Sequence, residues 1–170
     1  KRFSECGIRI GAVISKNRPV AEGFLKLAQA RLSPPLIGQI VAEASFSAGH
    51  AYLDPVAEEY QHRRDVLIEG LQKIPGVRVV KPQGAFYVIA SLPVENAEDF
   101  CSWCLTDFSD NGETVMMAPA SGFYITPGLG PSEVRIAYVL KSDDLRRATE
   151  LLAKALRQYS RHVPGERTSA

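Results

Sequence analysis

Apolar positions along the chain fall into stretches of two different periods. Over residues 21–32, Phe24, Leu27, Ala28 and Leu32 recur at helical spacing and predict a helix. Ser33-Pro34-Pro35 then reads as the start of a second helix, with Ser33 as N-cap and proline tolerated in the first turn. That helix is expected to run to about Ser47 and to end near Gly49. Asp54-Pro55 repeats the same grammar and opens a long helix to Lys73, with Tyr60, Leu67, Ile68 and Leu71 on one side and Pro75-Gly76 as its stop. Short β-rich runs follow at 77–80, 86–90, 114–118 and 134–140, with a helix over 97–108 between the second and third. A last helix starts at Ser142, has Asp143 and Asp144 in its first turn, and carries Leu145, Leu152 and Leu156 inward. From Pro164 onward the pattern stops, as in a frayed tail.

From Pro55 the order is helix, strand, strand, helix, strand, strand, helix, which suggests an α+β layer with a small sheet covered by helices. The first fifty residues do not belong to that layer. Residues 8–14 are apolar and β-branched and read as a buried strand. A lone strand cannot satisfy its own backbone groups, so this one requires a sheet that the sequence does not supply.

Composition narrows the class. The chain has 170 residues, 45% hydrophobic and 23% charged, which is ordinary for a folded globular domain. Lys plus Arg total 20 against 19 Asp plus Glu, so no summed field draws in nucleic acid or an anionic membrane, and anion recognition falls to single placed residues. The chain has no apolar run of about 18 residues, and the expectation is a cytoplasmic protein. Three cysteines argue against a disulfide scaffold. Cys101 and Cys104 form a C-x-x-C, but Phe100, Trp103 and Phe108 at helical spacing around them indicate core packing rather than a redox pair or half a zinc site. His50, His62 and His162 have no metal-ligand spacing.

Three segments carry candidate chemistry. The chain opens Lys1-Arg2-Phe3-Ser4-Glu5-Cys6-Gly7-Ile8-Arg9-Ile10-Gly11, which fills every position of K-x-[FY]-x-x-x-G-x-R-x-G. Pro82-Gln83-Gly84-Ala85-Phe86-Tyr87 fits P-x-G-[AT]-[FM]-Y. A Pro/Gly-rich loop, Ala118 to Gly130, leads into Val134-Arg135-Ile136-Ala137. Arg135 is a charge inside an apolar run, costly unless paired, and a substrate carboxylate would be its partner. The plainer alternative is a solvent-facing arginine on an alternating strand. By itself Lys1 would be a surface terminus and Arg9 a cap on a sheet edge.

In this order the segments resemble the C-terminal portion of a fold-type I pyridoxal-phosphate (PLP)-dependent aminotransferase of the aspartate aminotransferase type, class I/II. The resemblance implies an α/β PLP-dependent transferase fold. Residues 1–52 would be the end of the large cofactor domain and residues 53–170 the small α+β domain. It implies that Lys1 forms the Schiff base with PLP and shuttles the Cα proton, since an amine serves both roles. Arg9 would pair with the cofactor phosphate, while Gly7 and Gly11 would allow close packing or unusual backbone shapes. Arg135 would grip the substrate α-carboxylate. Arg31, just before Ser33-Pro34-Pro35, is a candidate for a side-chain carboxylate across a homodimer.

The substrates implied are an amino acid, with aspartate as the named candidate, and a 2-keto acid. The family's phosphate loop, ring-stacking aromatic, and the Asn and Asp partners of the ring precede the lysine and are not in this sequence, so the chain alone is expected to be inactive. A β-lyase or cyclopropane-forming enzyme of the same fold, or a non-catalytic α+β interaction module, are the alternatives.

Overall fold

The computed structural model describes residues 3–161. The chain divides into two compact units, residues 1–57 and 58–170.

In the first unit a 3-10 turn, Cys6–Ile8, is followed by α1 (Arg18–Ala30) and α2 (Leu36–Ser45). The Asn17 side chain caps α1 by accepting from the Val20 amide, and Pro19 sits in its first turn. The second helix starts later than its Ser33 signal. Pro35 is its N-cap, and the Gln39 side chain holds the Pro34 carbonyl at 2.8 Å. It packs on the N-terminal turn at Gly38, where a β-carbon would stand 3.0 Å from Ile10 Cγ1 and 3.1 Å from the Ile8 carbonyl. Ser45 Oγ meets Glu5 Oε2 at 2.7 Å, and the Tyr52 hydroxyl donates to the Phe3 carbonyl at 3.2 Å.

The expected strand at 8–14 does not form. Residues 9–15 follow an irregular path, and Ile14 is 95% exposed. No described strand lies in this unit to take up its backbone groups, so the β-branched composition has no ladder to join.

Helix α3 (Gly49–Gln72) begins earlier than Asp54-Pro55 predicts and carries Pro55 inside it. A proline there deprives one carbonyl of its partner, but Ala51 and Pro55 are both exposed, where water can replace the missing bond.

The second unit is a two-layer α+β structure. Strands β1 (Arg78–Val79), β2 (Tyr87–Ser91), β3 (Ala118–Pro119) and β4 (Glu133–Ala137) form one antiparallel sheet in the order β1-β2-β4-β3. Val88 pairs with Ile136 and Ala90 with Val134. Val88, Ala90 and Val134 are buried beneath Leu67 and Leu71 of α3, Phe100 and Cys104 of α4 (Ala97–Thr106), and Leu145 and Leu152 of α5 (Ser142–Tyr159). Because side chains alternate across a strand, burying this set turns Tyr87, Ile89 and Arg135 to the opposite face. The run at 114–118 contributes only its end to the sheet. Thr114 Oγ1 donates to the Cys104 carbonyl in the last turn of α4, which ties this stretch to the helix rather than to a strand.

Helix ends match their sequence signals here. Asn96 caps α4 by accepting from the amides of Glu98 and Asp99, and Asp143 and Asp144 occupy the first turn of α5. Arg147 of α5 reaches Asp110 Oδ2 at 2.8 Å and Glu113 Oε2 at 2.6 Å, pinning the 110–113 turn. No described helix is long and apolar enough to cross a membrane. The expected tail beyond Pro164 and His162 lie outside the described residues.

Helices α3 and α5 approach closely at Gly70, where a β-carbon would fall 2.9 Å from Thr149 Cβ and 2.5 Å from its hydroxyl oxygen. Rotating Thr149 cannot move its own Cβ, so Gly70→Val is expected to lower stability by roughly 1–3 kcal/mol, the usual cost of overpacking. Urea denaturation checks this; an unchanged midpoint contradicts it.

Candidate anion-binding site

Arg135 sits in the middle of β4, an interior strand, opposite Ile89 on one side and Ala118 on the other. It is half-buried on the face of the sheet that the helices leave uncovered. Its guanidinium carbon lies 4.8 Å from the centre of the Tyr87 ring and 4.4 Å from that of Phe123. Tyr87 reaches it from β2 and Phe123 from the 3-10 turn Ser121–Phe123. An aromatic face attracts a cation but offers no lone pair, so these contacts stabilise the charge without consuming the N–H donors.

Among the described residues no carboxylate forms an ion pair with Arg135, although Glu133 lies two residues away on the same face. Glu133 Oε2 instead accepts the Tyr124 hydroxyl at 2.5 Å, and this bond pushes the Tyr124 phenol above its ordinary pKa. Gly130 is required for this arrangement. It has φ +70°, and a β-carbon on it would fall 2.5 Å from Tyr124 Cε2. The loop thus ties up Glu133 and leaves a guanidinium able to take a carboxylate bidentately.

The other candidates belong to the first unit. Arg9 is exposed, has a left-handed backbone (φ 57°), and donates one bond from Nη1 to the Cys6 carbonyl at 3.2 Å. Its remaining guanidinium N–H groups are of the kind that bond a phosphate. Neither Gly7 nor Gly11 has a positive φ, and among the described residues a β-carbon placed on either would meet no neighbour within 4 Å; the left-handed residue of the segment is Arg9 itself. Arg31 is the C-cap of α1, exposed, with its backbone amide on the Ala28 carbonyl. A cation is favourable at that helix end whatever else it binds. Lys1 lies outside the described residues.

The sequence reading did not name Tyr87 or Phe123 as partners of Arg135. Strand alternation, which puts Tyr87 on the same face, is the signal that could have found it, whereas Phe123 arrives from a loop without periodicity. Cys101 and Cys104 are buried core residues, as their helical setting indicates. Among the described residues no group of His, Cys, Asp or Glu could hold a metal ion.

Residues 1–152 match the family described as Aminotransferase class I and II. Similarity extends to the aspartate aminotransferase of Bacillus subtilis, 30% identical over 165 residues that cover 94% of this chain and 40% of that protein. Among solved structures, the α-aminoadipate aminotransferase of Thermus thermophilus, complexed with N-(5'-phosphopyridoxyl)-L-leucine, superposes with a TM-score of 0.74 at 22% identity. It covers 95% of this chain and 42% of its own. The aspartate aminotransferase of Rhizobium meliloti superposes with a TM-score of 0.66 at 26% identity, over 92% of this chain and 40% of its own. The fold is therefore that of the PLP-dependent aminotransferases. The chain belongs to the class I and II aminotransferase family, and it spans about 40% of the length of the curated relatives it matches.

Two solution measurements test the electrostatics. Burial pushes the Cys101 thiol up to about 11 and that of Cys104 to about 12. Iodoacetamide at pH 8 is therefore expected to modify Cys6 and to spare both core cysteines until urea is added; early labelling of Cys104 would contradict the packing. Hydrogen bonds from Arg64 and Lys81 lower the Asp65 pKa to about 2. A depressed carboxylate stabilises the fold above its unfolded pKa and loses that contribution as the pH falls toward 2. Asp65→Asn should therefore lower the urea midpoint at pH 7, by a margin that shrinks toward zero near pH 2. A margin independent of pH would rule out this ionic origin.

Proposed function

We propose that the whole protein transfers an amino group between an amino acid and a 2-keto acid with PLP, and that Arg135 receives the α-carboxylate common to both. The carrying observation is a half-buried guanidinium, flanked by Tyr87 and Phe123, beside which Glu133, two residues away on the same face, is occupied by Tyr124. A bidentate carboxylate on Arg135 would orient Cα, fixing which of its bonds is broken. Arg9 would hold the cofactor phosphate and Lys1 the cofactor itself. When bound, PLP supplies the electron sink that makes the Cα proton labile. Lys1, as a free amine, would take up and return the Cα proton. Arg31 is proposed to meet a side-chain carboxylate, such as that of aspartate, across a homodimer in the cytoplasm. Residues 1–170 alone lack the segments that complete the cofactor pocket in the family, and are proposed to be inactive.

Arg135→Ala in the full-length protein, assayed with L-aspartate and 2-oxoglutarate, is expected to reduce kcat/KM by the equivalent of roughly 2–5 kcal/mol, the cost of removing one partner of a desolvated ion pair. An unchanged kcat/KM would sink the assignment. Release of ammonia and pyruvate from an amino acid with a leaving group on Cβ, such as L-cystathionine, without consumption of a 2-keto acid, would favour a lyase of the same fold.

A further inference from the structure

Tyr138 follows Arg135 by three residues, so the pleat that turns Arg135 to the open face turns Tyr138 to the covered one. It is 2% exposed and lies in the core. Its hydroxyl nevertheless finds two acceptors, the Ala85 carbonyl at 3.2 Å and the Gly84 carbonyl at 3.4 Å, while its backbone amide donates to the Phe86 carbonyl at 3.0 Å. One residue thus holds three consecutive carbonyls. Burial raises the phenol pKa, which keeps the hydroxyl protonated and donating at neutral pH.

The segment it holds is strained. Ala85 has φ 60°, in the left-handed region that residues with a β-carbon avoid, and such a conformation persists only where its surroundings impose it. Other groups hold the flanks of this turn. Arg64 Nη1 donates to the Pro82 carbonyl at 3.2 Å, and Tyr60 stacks on Phe86 with centroids 5.8 Å apart. Only the Tyr138 hydroxyl reaches Gly84 and Ala85 among these contacts. The residue that leaves the turn two positions after Ala85 is Tyr87, whose ring lies 4.8 Å from the Arg135 guanidinium.

We infer that Tyr138 is a positioning residue for the carboxylate site: its hydroxyl fixes the left-handed Gly84-Ala85 turn, and through it the Tyr87 ring that holds Arg135 in place. This rests on the reading of Arg135 as the carboxylate receiver. The hydroxyl touches neither substrate nor cofactor. Its effect is on how well the arginine is aimed before a carboxylate arrives, and so on binding rather than on the proton transfer.

The test uses the full-length holoenzyme with L-aspartate and 2-oxoglutarate. Tyr138→Phe keeps the ring and the backbone amide and removes only the hydroxyl. KM for both substrates is expected to rise roughly three- to tenfold, the fold-change of one buried hydrogen bond, with kcat within about twofold and the bound-cofactor absorbance spectrum unaltered. In an Arg135→Ala background the same substitution should leave KM unchanged, because the element it acts through is gone. A melting temperature lowered without a change in KM, or an equal KM increase in both backgrounds, would overturn the inference. Should Tyr138→Phe fail to fold, Ala85→Val opposes the same left-handed turn at an exposed position, because a β-branched residue is strongly disfavoured at φ 60°; a raised KM supports the inference and an unchanged KM overturns it. The two readings fail separately: Arg135→Ala without effect on KM removes the carboxylate receiver itself, whereas an effect of Arg135→Ala with none from Tyr138→Phe removes only the role of Tyr138.

Discussion

The burial of Val88, Ala90 and Val134 beneath α3, α4 and α5 governs the second unit. Once these side chains face the helices, a period of two leaves no freedom for their neighbours, and a register slip of one residue would send Arg135 into the apolar layer. An unpaired guanidinium there would cost several kcal/mol. The same hydrophobic contact that holds the layers together therefore keeps a charge on the open face, and stability and chemistry select one register rather than competing for it.

What stands on that open face is an arginine prepared in advance. Two rings approach its guanidinium, and the acid two residues away is held by a phenol hydroxyl. A charge-assisted partner inside the chain would have made the strand more comfortable and the site useless. In the class I and II aminotransferase family such a site would serve in both halves of the proposed reaction, since the amino acid and the keto acid carry the same carboxylate. In the proposed site, recognition would depend on geometry fixed before binding, which lowers the ordering cost that binding would otherwise carry.

Most of the second unit was legible because its signals are local and its partners are present. The helix expected over 97–108 announces itself through Phe100, Trp103, Cys104 and Phe108 at helical spacing and forms over 97–106, and Arg135 stands out because its neighbours are apolar. The first unit was less legible for a physical reason. Residues 8–14 have the composition of a buried strand, yet strand formation depends on a neighbour's hydrogen bonds, and none is described beside them. Asp54-Pro55 was misleading in another way. Proline in a first turn and proline in an exposed helix interior look alike in sequence, and only the solvent exposure of the carbonyl it orphans separates them. Phe123 and the Tyr138 hydroxyl bond were beyond reach because each joins residues whose pairing is set by tertiary packing.

Both margins of the sheet are very short. β1 spans Arg78–Val79, and β3 spans Ala118–Pro119, where proline brings no amide hydrogen to offer. A strand from another molecule would find two residues to pair with at either side, too few to seed edge-to-edge growth. A sheet that leaves one face uncovered is thereby protected from recruiting its own kind. Resistance to aggregation in this unit comes from how little backbone its borders present, not from how much charge they carry.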